Sequence, residues 1–156
     1  MLTEAAKGVY TIAVTPFLPN GAIDFDSIDR MVDFYIEQGA TGLTILGMMG
    51  EAGKLSAEES LSVVNRVIAR TSVPVVVGVS APGYAAMETL SKSSMDAGAA
   101  GVMVAPTSNL RSDDQIIGYY HGVANVLADA PFVLQDFPLA TSVVIPTKVI
   151  LQIVED

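Results

Sequence analysis

Short, nearly continuous runs of apolar and largely β-branched residues alternate along this chain with longer stretches whose apolar positions recur every three or four residues. The first rhythm is that of buried strands and the second that of amphipathic helices. Gly8–Thr15 reads as a strand closed by Pro16. After the turn Pro19-Asn20-Gly21, Asp24 or Asp26 can cap a helix carrying Ile28, Met31, Val32, Tyr35 and Ile36, and Gly39 supplies its stop.

The unit then repeats. Gly42–Leu46 is a second strand, and Ser56-Ala57-Glu58-Glu59 has the form of a capping box opening a helix with Leu61, Val64, Val67 and Ile68. Pro74–Val79 is a third strand, followed by a helix over Tyr84–Ala97 that stops at Gly98. Gly101–Ala105 is a fourth, followed by a helix capped by Ser112 and running to about Leu127. Phe132–Gln135 is a fifth, and Pro146 opens the last helix at a first-turn position.

Five strand–helix units at intervals of about 30 residues predict an α/β fold with an all-parallel sheet, wound as an open sandwich or a closed barrel. A closed (β/α)8 barrel takes eight units and about 250 residues. The expectation is a single domain over residues 1–156, in which either the sheet is open or the five units are part of a longer protein.

Composition narrows the function classes. The chain is 51% hydrophobic and 16% charged, which excludes a disordered protein. Seventeen acidic residues against eight basic ones leave a net charge of −9, so neither nucleic acid nor an anionic membrane surface is an expected partner. Mean hydropathy is high at +0.48, yet no apolar run reaches the roughly 18 residues of a membrane span. Met1–Lys7 lacks the pattern of a secretory signal, and a cytoplasmic location is expected. There is no cysteine, and a single histidine cannot build a histidine metal cluster. No metal or other cofactor is expected.

The loop Gly47-Met48-Met49-Gly50-Glu51-Ala52-Gly53-Lys54-Leu55 joins the second strand to a capped helix, and its backbone N–H groups can face an anion. It is not a P-loop: Met48 stands at the first glycine position, and Leu55 replaces the hydroxyl that would hold magnesium. A tight turn with no ligand is the competing reading.

This loop, with Leu55-Ser56-Ala57-Glu58-Glu59, resembles the Gly-x-x-Gly-Glu signature of the dihydrodipicolinate synthase/N-acetylneuraminate lyase family. Val14-Thr15-Pro16-Phe17, Gly39–Leu43, Pro74-Val75 into Gly78, and Gly98–Gly101 into Ala105-Pro106 match in order and spacing. The resemblance implies an α/β parallel (β/α)8 barrel of TIM type, usually a homotetramer, that acts on a pyruvate-type 2-oxo acid through a lysine Schiff base, with residues 1–156 as its N-terminal portion of about five units. It places substrate binding on Gly47, Met48, Met49, Gly50 and Glu51.

Several positions depart from the family pattern. Met48 and Met49 replace two hydroxyl residues, Thr107-Ser108 an aromatic pair, and Ala140 an arginine. Gln135-Asp136 stands where the family has Tyr-Asn, so Gln135 and Asp136 are the candidate catalytic residues. These departures count against dihydrodipicolinate synthesis, and Gln135-Asp136 at this place resembles branches of the family that dehydrate or cleave 2-oxo-3-deoxy sugar acids, which makes a dehydratase or aldolase of that kind the expectation. The family's lysine belongs to a sixth strand, and Lys7, Lys54, Lys92 and Lys148 fall at no strand end. The alternative is therefore a catalytically incomplete half-barrel.

Among the remaining polar residues, Asp24, Asp26, Asp29 and Asp33 are read as helix-capping acids rather than a metal site. Tyr119 and Tyr120 are read as helix packing, and His121 as a surface or packing residue. Glu51 is read either as an acid–base group or as a brace of its own loop. Met48 and Met49 form an apolar pocket floor or fill the core.

Overall fold

The computed structural model describes residues 1–155. Five parallel strands, β1 (Tyr10–Ile12), β2 (Gly42–Ile45), β3 (Val75–Gly78), β4 (Gly101–Val104) and β5 (Phe132–Leu134), lie side by side in chain order. The connecting helices are α1 (Phe25–Glu37), α2 (Ala57–Arg70), α3 (Tyr84–Asp96) and α4 (Asp113–Leu127). A one-turn helix, α5 (Pro138–Thr141), fills the stretch after β5 that had no predicted element, and α6 (Thr147–Glu155) follows. Helices α1 to α4 each pack on the next, and α4 packs on α6. An open doubly wound sheet reverses its strand order at a switch point. Here the order never reverses, so the five units form part of a βα barrel, the one of the two windings that the family resemblance implied.

Every position of β2, β3 and β4 is buried, which explains why their sequences are continuous apolar runs rather than alternating ones. Leu43, Ile45, Val75, Val77, Val102 and Val104 join the core formed with Val32, Val64, Val67, Met87 and Val123 of the helices. Thr44, Val76 and Met103, at the alternate positions, turn to the opposite face. The outer strands are less covered: β1 is half-buried throughout, and Val133 of β5 is 39% exposed.

Local signals set the helix ends. Ser56 and Glu59 form the reciprocal box, with Glu59 N–H donating to Ser56 Oγ at 3.1 Å and Ser56 N–H to Glu59 Oε2 at 2.8 Å. The Asp24 carboxylate accepts from Ser27 N–H at 2.9 Å and caps α1. Gly39 and Gly98 follow their helices with positive φ, as stop positions require.

Two expectations need correction. The first strand is Tyr10–Ile12 rather than Gly8–Thr15, because its regular pairing is confined to the three residues opposite Gly42–Thr44. Asp29 and Asp33 do not cap α1; they face α2 and pair with Arg66 and Arg70. Arg66 donates to both Asp29 oxygens at 2.7 Å, and Arg70 grips Asp33 in the same fork. Hydrogen bonding from Arg70 holds the Asp33 carboxyl below its ordinary value.

Tyr119 and Tyr120 are packing residues, as read from sequence. Their hydroxyls donate to the carbonyls of Ala105 at 3.1 Å and Val104 at 3.3 Å, tying α4 to the end of β4. Burial, with a smaller contribution from Tyr84, pushes Tyr119 up to about 12. An unfolded tyrosine ionises near 10, so between about 10 and 12 the unfolded state binds fewer protons, and stability must fall as pH rises. The urea midpoint is expected to drop across that window, and Tyr119→Phe to flatten the drop.

Ala128 ends α4 at φ 50° and ψ −119°, a backbone region that penalises a Cβ. Ala128→Gly is expected to stabilise the fold by about 1 kcal/mol, read as a higher Tm.

Candidate active site

The C-terminal strand ends carry the loops in which a βα barrel places its chemistry. After β2 the chain turns at Leu46, whose φ is +54°, runs through Gly47–Gly50, and turns again at Glu51, φ +53°. A single 3-10 turn over Ala52–Lys54 then leads into the Ser56 cap. Two contacts hold this path. A Cβ on Gly78 of β3 would lie 2.2 Å from the Leu46 carbonyl oxygen, so glycine there makes room for the turn. On the other side, the buried Thr15 hydroxyl donates to the Gly50 carbonyl at 2.6 Å.

Within the loop, Glu51 N–H donates to the Met48 carbonyl at 3.1 Å, and the longer Ala52 N–H bond reaches Gly47 at 3.5 Å. The N–H groups of Met48, Met49 and Gly50 donate to no group among the described residues. Successive N–H groups left unpartnered in a tight turn are of the kind that can receive an anionic oxygen.

Glu51 forms an ion pair with Lys54, so the brace reading of Glu51 is the one its contacts support. Met48 and Met49 are 37% and 57% exposed, and neither fills the core. Met48 instead stands on the wall between two clefts.

The first cleft, about 590 Å³, is bounded by Gly47, Met48, Glu51, Ser80, Met103 and Gln135. Gln135 is half-buried, and its N–H continues the ladder to the Val104 carbonyl at 2.9 Å. The structure thus brings Gln135 and the Gly47–Glu51 loop to one cavity. Asp136, the next residue, is exposed and does not border either cleft.

The second cleft, about 800 Å³, opens beside the first between the ends of β3 and β4 and α5. Thr107, Ser108 and Ala140, three positions that depart from the family pattern, all border it. Tyr84 also borders it, stacked on Tyr119 at 6.0 Å with its hydroxyl bonded to the Tyr119 carbonyl.

The lysines stand away from these clefts, apart from Lys54 at the rim of the first. Lys54 is exposed and paired with Glu51, and Lys148 on α6 is exposed and paired with Asp113. Lys92 on α3 and Lys7 are exposed, as is His121 on α4. Among the described residues no group of acidic or histidine side chains is placed to hold a metal, and no helix is long and apolar enough to cross a membrane.

Sequence reasoning passed over Ser80, Gly78 and Thr15 as individual site residues. Thr15 and Gly78 lay inside quoted motifs, but nothing in one dimension reveals that they touch the same loop.

The sequence matches the Dihydrodipicolinate synthetase family over residues 5–155. It is 38% identical over 141 residues to the 4-hydroxy-tetrahydrodipicolinate synthase of Sorangium cellulosum, covering 88% of this chain and 46% of the relative. The synthase of the same name from Methanothrix thermoacetophila is 31% identical over 150 residues, covering 96% of this chain and 50% of the relative. The crystal structure of dihydrodipicolinate synthase from Rhodopseudomonas palustris superimposes with a TM-score of 0.96 at 54% identity, covering 99% of this chain and 52% of that one. The chain spans about half the length of these proteins. Their names lend no support to the preference for sugar acids over the synthase reaction. The course of the Gly47–Glu51 loop through a parallel βα barrel has its explanation in descent: this chain belongs to the dihydrodipicolinate synthetase family of lyases and aldolases.

Proposed function

We propose that the protein acts on a pyruvate-type 2-oxo acid through a lysine Schiff base. The observation that carries this reading is the row of unpartnered amides at Met48, Met49 and Gly50, in the loop that shares a cleft with Gln135. The amides receive the substrate carboxylate, placing the 2-oxo carbonyl toward the barrel axis. A lysine amine then adds to that carbonyl and expels water. The protonated imine accepts the electron pair when a neighbouring C–C or C–O bond breaks. By family resemblance this lysine belongs to a sixth strand. Gln135, at the end of β5, hydrogen-bonds the reacting end of the substrate, and Asp136 beside it is the nearest acidic group in sequence.

The second cleft bears on the rest of the substrate. Thr107, Ser108 and Ala140 give it small, uncharged groups, which suit a hydroxylated acyl chain better than a second carboxylate. That supports a 2-oxo-3-deoxy sugar acid, although the named relatives are synthases. A cytoplasmic homo-oligomer belongs to the same proposal.

Intact-mass spectrometry with pyruvate and borohydride tests the Schiff base. The expected result is a reduced pyruvyl adduct on one lysine, located by peptide mapping. A protein that gains no mass would be a barrel module that lacks the covalent chemistry.

The loop geometry gives a second test. Gly78→Ala places a methyl group against the Leu46 carbonyl and must displace the anion loop. Pyruvate affinity is expected to fall about tenfold or more, equivalent to at least about 1.4 kcal/mol, with the far-UV circular dichroism unchanged.

A further inference from the structure

We infer that Ser80 is a substrate-binding residue that supplies the site's hydroxyl donor to the carboxylate of the 2-oxo acid. The inference rests on the function proposed above and adds a residue to it.

Ser80 lies two residues beyond the end of β3, on the rim where the strand-end cavities meet. It borders the loop cleft, the larger cleft beside it, and the groove between α2 and α3. Two bonds fix it there. Val79 N–H donates to the Met103 carbonyl at 3.0 Å, and the buried Ala105 N–H donates to Ser80 Oγ at 2.8 Å. A hydroxyl can accept two hydrogen bonds and donate one. Here one acceptor position is used, and the hydroxyl donates to no group among the described residues. Ser80 is exposed, so this proton is available to a ligand.

The polar inventory of the loop cleft sharpens the assignment. Among the bordering side chains only Glu51, Lys54, Ser80 and Gln135 form strong hydrogen bonds, and Glu51 and Lys54 are paired with each other. The rest are glycine, alanine, leucine or methionine. An anion on the loop amides therefore meets two uncommitted donor side chains, Gln135 and Ser80. The hydroxyl comes from the end of β3 because Met48 and Met49 leave the loop without one. A donor held in place by a backbone bond needs little reordering to receive a charged oxygen.

A structural tie between β3 and β4 is the competing role, and the two roles have different readouts. Titrating the isotope-labelled protein with pyruvate is expected to shift the amide resonances of Met48, Met49 and Gly50 and also that of Ala105, whose bond ends on Ser80 Oγ. Ser80→Ala is expected to raise the half-saturating pyruvate concentration about tenfold or more, and Ser80→Thr, which keeps the hydroxyl, to restore it to within a few-fold. A shift in the loop amides without one at Ala105 would leave the loop site standing and overturn the role of Ser80. That role is overturned equally if Ser80→Ala lowers the Tm while leaving pyruvate binding unchanged. No shift at any of these amides would overturn the carboxylate site itself, and the Ser80 assignment with it.

Discussion

The Leu46 carbonyl oxygen occupies the space that a side chain on Gly78 would take, its distance from the ideal Cβ being 2.2 Å. That approach lets β2 leave the sheet through a left-handed residue and enter the Gly47–Glu51 loop. A leucine at φ +54° is strained, and such strain persists only where surrounding contacts overdetermine it. Those contacts come from both neighbours of β2: Gly78 from β3, and Thr15, just beyond β1, bonding Gly50. The Gly47–Glu51 loop is thus a product of three consecutive units of the sheet. Its shape cannot be preserved if their register slips.

Register is in turn held from outside. The fully buried strands β2, β3 and β4 present valine, leucine and isoleucine to the helices, and burial of each such side chain is worth roughly 1.5–3 kcal/mol. The forked Arg66–Asp29 and Arg70–Asp33 pairs lie one helical turn apart on α1 and α2 and set how these helices align. Being exposed, they contribute direction more than stability. At the other side, Tyr119 and Tyr120 bond to successive carbonyls, Ala105 and Val104, where β4 ends. Those carbonyls lie beside the Ala105 N–H that holds Ser80, so the packing of α4 reaches the cleft through one residue of backbone.

Most of the architecture was legible in the sequence because the signals that determine it are local. The Ser56–Glu59 box, the Ser112 cap, the stops at Gly39 and Gly98 and the five apolar runs each act within a few residues. What was not legible depends on partners distant in sequence. Asp29 and Asp33 look like first-turn acids until α2 brings arginines 37 residues away to meet them. The short β1 follows from what β2 offers across the sheet. At the site, the loop and Gln135 could be found from motif positions on strand ends, whereas Ser80 and Gly78 acquire their roles only through Ala105 and Leu46. Asp136, the neighbour of Gln135 in sequence, is exposed and borders neither cleft.

The substitutions that set this chain apart from the family pattern are not scattered over the barrel. Thr107, Ser108 and Ala140 meet around one cleft, while Met48 and Gln135 border the adjoining one. Thr107, Ser108 and Ala140 leave the larger cleft lined by uncharged side chains, and Met48 brings no hydroxyl to the loop cleft. Backbone amides cannot be lost by side-chain substitution, so the loop's row of N–H groups survives changes in the side chains around it. Where the backbone supplies the polar groups and the side chains around it vary, substitution can remodel the clefts without altering the course of the loop. The constraint then falls on the few residues that shape the backbone. That accounts for Gly47, Gly50 and Gly78 keeping their places while Met48 and Met49 do not resemble what the family places there.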